Sequence, residues 1–279
     1  MSGFFSSTRP GTEVELRGKT YELPILYFRD DMFALFYSAD ARRVKEALPS
    51  DKLHPVRLPN GRALVGMAAF NYVETTIGPY GEVSIVALAV HGSRSPLPVI
   101  PALREADHPG FGMVVLHLPV TTMVARDGGR GQWGYTKFIA DMDFTLTPEM
   151  MRCEMAEGGK RILDLQVECG GTVRQDAKPL ITYSVLDGNL IKTTIPQRGT
   201  YRMKIRPKSS SLELGDHEVA ESIRRLELSQ RPLMTRYYVE RSGILPAGEA
   251  VEEGVRPLDG YIGTEREGEH RIRYTDRES

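Results

Sequence analysis

Val83-Ser84-Ile85-Val86-Ala87-Leu88-Ala89-Val90 decides the fold, because its apolar side chains fall on both faces of an extended chain. A strand of that composition belongs at the centre of a sheet covered on both sides. Glu82 opens this strand, delivered to it by the turn Gly78-Pro79-Tyr80-Gly81. Before the turn, residues 62–74 form a second long strand candidate, itself introduced by the hairpin signal Asn60-Gly61.

Working outward toward the N-terminus, two apolar runs at 23–28 and 32–37 flank Arg29-Asp30-Asp31, a spacing that predicts a β-hairpin. Asp40 is placed to cap a short helix running through Leu48 and stopped by Pro49. Toward the C-terminus, residues 93–110 carry Pro96, Pro98, Pro101 and Pro109 and read as a long loop of the kind that forms lids or oligomer contacts. Residues 111–118 read as a strand and 120–127 as a short helix ended by Gly128-Gly129. Phe138, Ala140, Met142 and Phe144 alternate along a further strand. Turn signatures at Gly158-Gly159 and Asp187-Gly188-Asn189 mark two more hairpins. Strands are expected at 200–206 and 233–240, with a helix between them capped by Asp216 and reaching about Ser229. Many strands joined by tight turns, with few short helices, predict an α+β domain built on a mainly antiparallel, barrel-like sheet. The expected organisation is an N-terminal arm at 1–20, one domain over 21–254 and a charged tail at 255–279.

The 36 Lys and Arg residues against 37 Asp and Glu leave a net charge of −1, so no global field points to nucleic acid or an anionic membrane. A small-molecule partner is expected. No apolar run is long enough to span a bilayer, and residues 1–11 lack the pattern of a secretory leader, so a cytoplasmic location is expected. Cys153 and Cys169 lie on a hairpin whose register would set Cys153 near Asp164, so a disulfide between them is not expected. The six histidines show no paired spacing, and no metal site is expected.

Chemistry concentrates in Gly129-Arg130-Gly131-Gln132-Trp133-Gly134-Tyr135-Thr136-Lys137-Phe138. A lysine at a loop–strand junction behind a Trp and a Tyr is held against apolar surface, where an ammonium is costly. A partly neutral amine in such a place is a nucleophile for carbonyl carbon. Strand parity puts Lys137 on the Ile139 face, opposite Phe138. Glu82, entering an apolar strand from a fixed turn, is a candidate to orient the lysine, carry a proton or meet the substrate. Taken alone, Lys137 reads better as a solvated edge residue and Glu82 as an edge-of-strand carboxylate paired to a surface arginine.

Together, Gly78-Pro79-Tyr80-Gly81-Glu82 and the later Gly129-Arg130…Trp133-Gly134-Tyr135-Thr136-Lys137 resemble the acetoacetate decarboxylase family, with its Gly-Pro-Tyr-x-Glu turn and Trp-Gly-(Tyr/Phe)-Pro-Lys segment. The resemblance covers about residues 27–144. It implies a homo-oligomer that needs no cofactor and acts on a small keto acid through a Schiff base on Lys137, with Glu82 in the same pocket. Arg130 and Gln132 become candidates for contacts with substrate oxygens, and Tyr80, Trp133 and Tyr135 for pocket walls. Several positions depart from the family pattern. Thr136 stands for the proline, Phe138 for a second lysine, Gly131 for a glutamate and Ser38 for an arginine, and a second carboxylate is missing near Gly66-Met67. Without the second lysine, burial by Trp133, Tyr135 and Phe138 must replace a neighbouring cation in activating Lys137. The implied reaction is decarboxylation of a 3-oxo acid. The same lysine also admits an aldolase–dehydratase reaction on a 2-oxo acid such as pyruvate, and the fold admits a non-catalytic ligand-binding barrel.

Overall fold

The computed structural model describes residues 2–6, 8, 11–16, 19–264 and 272–275. A short helix α1 (Ser2–Phe5) and a two-stranded hairpin, β1 (Thr12–Leu16) with β2 (Lys19–Leu23), precede the long strand β3 (Ile25–Ala39). Then come α2 (Ala41–Ala47), β4 (Leu53–Pro55), β5 (Ala63–Thr75) and β6 (Tyr80–His91). The loop that follows holds α3 (Ile100–Arg104) and leads to β7 (Phe111–His117), α4 (Met123–Trp133) and β8 (Asp141–Leu146). The hairpin of β9 (Met150–Glu157) and β10 (Lys160–Glu168) follows, and then β11 (Thr172–Asp176) and β12 (Leu180–Leu186). The chain ends through β13 (Asn189–Ile195), β14 (Gln197–Ile205), β15 (Ser211–Leu214), α5 (Glu218–Arg224), β16 (Met234–Leu245), β17 (Glu249–Glu253) and β18 (Ile272–Thr275).

The large sheet runs in the order β11-β14-β16-β3-β5-β6-β7-β12-β13-β17, with β4 beside β6, and a second sheet runs β15-β10-β9-β8-β18. Pairing is antiparallel except for β7 with β12 and β8 with β18. The mostly-β architecture with a few short helices is as expected, but the barrel is not: the large sheet is an open path with edges at β11 and β17. It is strongly curled nonetheless. Only Pro196 separates β13 from β14, which lie in opposite halves of the strand order, and the Ile244 amide donates to the Pro196 carbonyl at 2.9 Å.

Alternation along β5 and β6 divides the apolar residues between two cores, because successive side chains of a strand point to opposite faces. Val65, Met67, Val83 and Ile85 pack toward the second sheet, against Met142, Phe144, Cys153 and Leu165. Ala68, Phe70, Tyr72 and Val86 face the other way, with Tyr135, Ile139 and Leu245. Both faces of β6 are therefore covered, as its composition requires.

Four local expectations change. Residues 29–31 do not turn; β3 continues through them with a register shift at Arg29, Asp30 Oδ2 accepting from Arg241 and Asp31 from Asn71 at 2.8 Å, while Asp30 Oδ1 is buried without a partner among the described residues. Helix α4 does not stop at Gly128-Gly129 but continues to Trp133 and ends on Gly134, whose φ of +66° is a left-handed cap that glycine adopts without strain. Helix α5 is capped by His217, not Asp216, and is shorter than expected: Nδ1 accepts from the Val219 amide at 3.1 Å while Nε2 donates to Glu157 at 2.9 Å. The first ten residues of the expected tail are docked, with Val255 buried and the Tyr261 hydroxyl donating to Glu157 at 2.5 Å. Of the remainder, only 272–275 are described, as β18; the rest of the tail and residues 1, 7, 9, 10, 17 and 18 of the arm lie outside the described residues.

Candidate active site

A narrow ladder of backbone brings the two motif residues together. Residues 119–121 run between the start of β6 and the segment that follows α4, giving the bridges Glu82↔Val120 and Val120↔Ile139. Lys137, two residues before Ile139, shares its face, and Phe138 turns into the opposite core. The backbone of Lys137 is pinned on both sides. Its amide donates to the Tyr135 carbonyl at 2.8 Å, and its carbonyl accepts from Arg130 Nε at 2.7 Å. The Thr136 hydroxyl donates to the Leu116 carbonyl at 2.8 Å, so the residue that replaces the family proline ties this segment to β7.

From there the lysine side chain lies along α4. A Cβ built on Gly129 would stand 2.4 Å from Lys137 Cε and 2.5 Å from Cδ, closer than real atoms approach. Glycine inside a helix costs up to about 1 kcal/mol relative to alanine, and here it opens the groove in which the lysine rests. Nζ arrives 2.5 Å from Glu82 Oε2, and Glu82 Oε1 accepts from the Tyr72 hydroxyl at 3.2 Å. Lys137 is 5% exposed and Glu82 7%, so the ammonium and carboxylate are buried as a pair. The expectation of a lysine activated by burial alone is thus incomplete, because a carboxylate faces the amine directly.

Tyrosines surround the pair. The Tyr27 and Tyr80 hydroxyls bond each other at 3.0 Å, and the Tyr72 ring lies 4.5 Å from that of Tyr27 and 4.6 Å from that of Tyr80. Burial first, and then the charge of Glu82, pushes the Tyr72 hydroxyl well above its ordinary range, so it remains a donor at neutral pH. Burial pushes Tyr135 up to about 12, and its hydroxyl shares a bond with Thr182 at 2.8 Å.

Lys137 and Glu82 sit at the wall of a cavity of about 120 Å³ on the concave side of the large sheet, whose lining includes Met32, Phe36, Val86, Val115 and Leu180. The other proposed residues distribute unevenly. Tyr135 lines this cavity, whereas Tyr80, Gln132 and Trp133 line a smaller hollow of about 30 Å³ that shares Tyr27, Tyr135 and Lys137 with it. Trp133 donates from Nε1 to the Pro246 carbonyl at 2.8 Å. Arg130 reaches neither space; its guanidinium binds the carbonyls of Lys137 and Ile262, each at 2.7 Å, so it positions the lysine. Ser38, read as the position of a lost arginine, is bonded by Arg62 at 3.0 Å and does not line the cavity.

Sequence reading missed the opposite end of the cavity. Gln197, Arg236, Tyr238 and Arg241 line it from β14 and β16, and Glu105 enters from the loop before β7, accepting from Arg236 at 2.8 Å. The 93–110 loop therefore forms part of the cavity wall. Nothing local in the sequence marks Arg241, whose partner Asp30 is 211 residues away. The one available signal was that 29–31 interrupt a strand pattern without glycine or proline. Among the described residues, no group of three or more His, Cys, Asp and Glu side chains is arranged to hold a metal ion.

Comparison with known proteins places this architecture. An acetoacetate decarboxylase from Legionella pneumophila superposes with a TM-score of 0.61 at 17% identity, over 82% of this chain and 88% of that one. The enduracididine biosynthesis enzyme MppR, complexed with the condensation product of pyruvate and imidazole 4-carboxaldehyde, superposes with a TM-score of 0.58 at 13% identity, covering 82% and 89%. An acetoacetate decarboxylase-like enzyme from Sphingomonas wittichii gives 0.56 at 14% identity, covering 82% and 93%. At such identities the likeness is one of fold. No curated protein matches the sequence. The acetoacetate decarboxylase family profile, however, matches residues 14–253, a span that takes in the curled sheet, the cavity and both members of the Lys137–Glu82 pair, and the chain belongs to that family.

Proposed function

We propose that this protein forms a Schiff base between Lys137 and a small keto acid and releases carbon dioxide from a 3-oxo acid. The observation that carries this reading is the position of Nζ, buried at the wall of an apolar cavity with Glu82 at 2.5 Å. Glu82 accepts the proton that the ammonium must lose before its lone pair attacks. The amine adds to the carbonyl carbon, Glu82 gives the accepted proton to the departing hydroxyl, and loss of water leaves an iminium. The bond to the carboxylate then breaks, its electron pair moves to the iminium nitrogen, and carbon dioxide leaves a neutral enamine. An apolar wall favours this step because charge is dispersed as it proceeds. Solvent supplies the one proton that the overall reaction consumes, Glu82 passes it to the enamine carbon, and water releases the ketone and restores the ammonium.

A second reading shares the imine and rests on the likeness to MppR, whose structure holds a condensation product of pyruvate and an aldehyde. Here the enamine of a 2-oxo acid attacks an aldehyde and water is lost. Assaying carbon dioxide release from 3-oxo acids beside condensation of pyruvate with aldehydes separates the two. Lys137→Arg keeps a cation opposite Glu82 but removes the nucleophile, and it should abolish turnover. Glu82→Gln should slow it by at least about a hundredfold, the lower end of what general acid–base groups contribute. Turnover that survives Lys137→Arg would rule out the imine, and condensation without carbon dioxide release would favour the second reading.

A further inference from the structure

Arg241 of β16 is 6% exposed and lines the same cavity as Lys137. Its Nη1 donates to Asp30 Oδ2 at 2.6 Å and its Nε to Gln197 Oε1 at 3.0 Å. Gln197 is fixed in turn, donating from Nε2 to Asp176 Oδ2 at 3.2 Å, an oxygen that also accepts from the Tyr238 hydroxyl. Two sides of the guanidinium are therefore committed. Nη2 has no hydrogen-bond partner among the described residues, and it is not one of the unpaired polar atoms sealed inside the protein. Arg236, the other arginine at the cavity, gives its Nη2 to Glu105, and its unpaired Nε is sealed.

A buried ion pair gains little over well-packed apolar side chains, so stability alone is a poor account of Asp30 and Arg241. Their placement suggests a better one. Arg241 Cζ lies 5.4 Å from the centre of the Phe70 ring, and Phe70 stacks on Tyr72 at 5.4 Å. The Phe70 ring thus stands between the guanidinium and the Tyr72–Glu82–Lys137 chain. Along the sheet, β16 and β6 are three strand spacings apart, roughly 14 Å.

We propose that Arg241 Nη2 receives a carboxylate of the substrate at the end of the cavity away from Lys137, with Asp30 and Gln197 holding the guanidinium in place. The protein then selects oxo acids that carry a carboxylate several bonds from the carbonyl the lysine attacks. In the decarboxylation reading this carboxylate is a second one, retained while the one beside the apolar wall leaves. The inference rests on the Schiff-base reading of Lys137.

Borohydride trapping on the full chain tests both, using 5-oxohexanoate and the neutral 2-hexanone, which share a chain length. The oxo acid should reach half-maximal trapping at a concentration at least about tenfold lower, the scale of one charge-assisted hydrogen bond. The neutral pair Asp30→Asn with Arg241→Gln should bring that ratio near one, with the larger loss on 5-oxohexanoate. If the double variant does not fold, Arg241→Lys, which keeps a charge opposite Asp30 but loses Nη2, reads the same ratio. A purely structural Arg241 would move both ligands alike. An undiminished ratio in the variants, or no carboxylate preference in the parent protein, overturns the proposal. Absence of trapping with both ligands overturns the Schiff-base reading itself.

Discussion

His117 shows how one buried ring couples this fold to pH. Its Nε2 bonds the Ser222 hydroxyl at 2.8 Å, and that hydroxyl donates onward to the Val219 carbonyl at 2.7 Å, so Nε2 carries the hydrogen. Nδ1 is buried without a partner, and a second proton there would be unsatisfied. Burial first, and then the nearby His217, pulls the ring down to about 4 from an ordinary 6.5. The unfolded chain therefore binds the extra proton first: stability is fully present above about 6.5 and is lost as the pH falls through about 4. The difference is worth about 3 kcal/mol. Denaturant titrations at several pH values should show His117→Phe losing less stability than the parent protein between those limits; equal losses would contradict the assignment. The same scale explains what the sequence revealed of the site. Lys137 and Glu82 each sit in a compact local motif of turn residues and aromatics, and the resemblance of the two motifs together to the acetoacetate decarboxylase family exposed them. Arg241 and Asp30 acquire meaning only through each other, across a separation that no local pattern spans.

Helix α4 holds the element-scale lesson. Four glycines in 128–134 suggested a helix stopped early, since each interior glycine is unfavourable. The structure keeps the helix because Gly129 faces the Lys137 side chain, a tertiary demand that propensity does not register. Gly131 has open space around its missing Cβ. Gly131→Ala should therefore stabilise the protein by about 0.5–1 kcal/mol and leave turnover intact. Gly129→Ala should leave the fold in place, because the atoms it meets belong to a flexible side chain, yet displace Nζ from Glu82 and slow turnover by at least about tenfold. Thermal melts and initial rates check the pair, and equal activities in the two variants would refute the groove. Strand β3 carries a similar lesson: its charged middle looked like a turn because the partners that make it a strand, Asn71 and Arg241, come from β5 and β16.

At the scale of the whole molecule, alternating apolar residues specified two cores on either side of one sheet, and the turn signatures marked most strand boundaries. Periodicity records which residues face together, but not whether the last strand of a sheet meets the first, so the expectation of a barrel-like sheet did not register that the large sheet stays open. The curl builds the cavity. It sets the strand bearing Glu82 and the segment bearing Lys137 at one wall of a cavity and the strand bearing Arg241 at another. Lys137 is the proposed imine-forming residue. Borohydride reduction in the presence of a 3-oxo acid or pyruvate, followed by peptide mass mapping, tests this most directly. A single adduct on the peptide that contains Lys137, absent in Lys137→Arg, is the predicted result. An adduct on another lysine, or none with any keto acid, would contradict it.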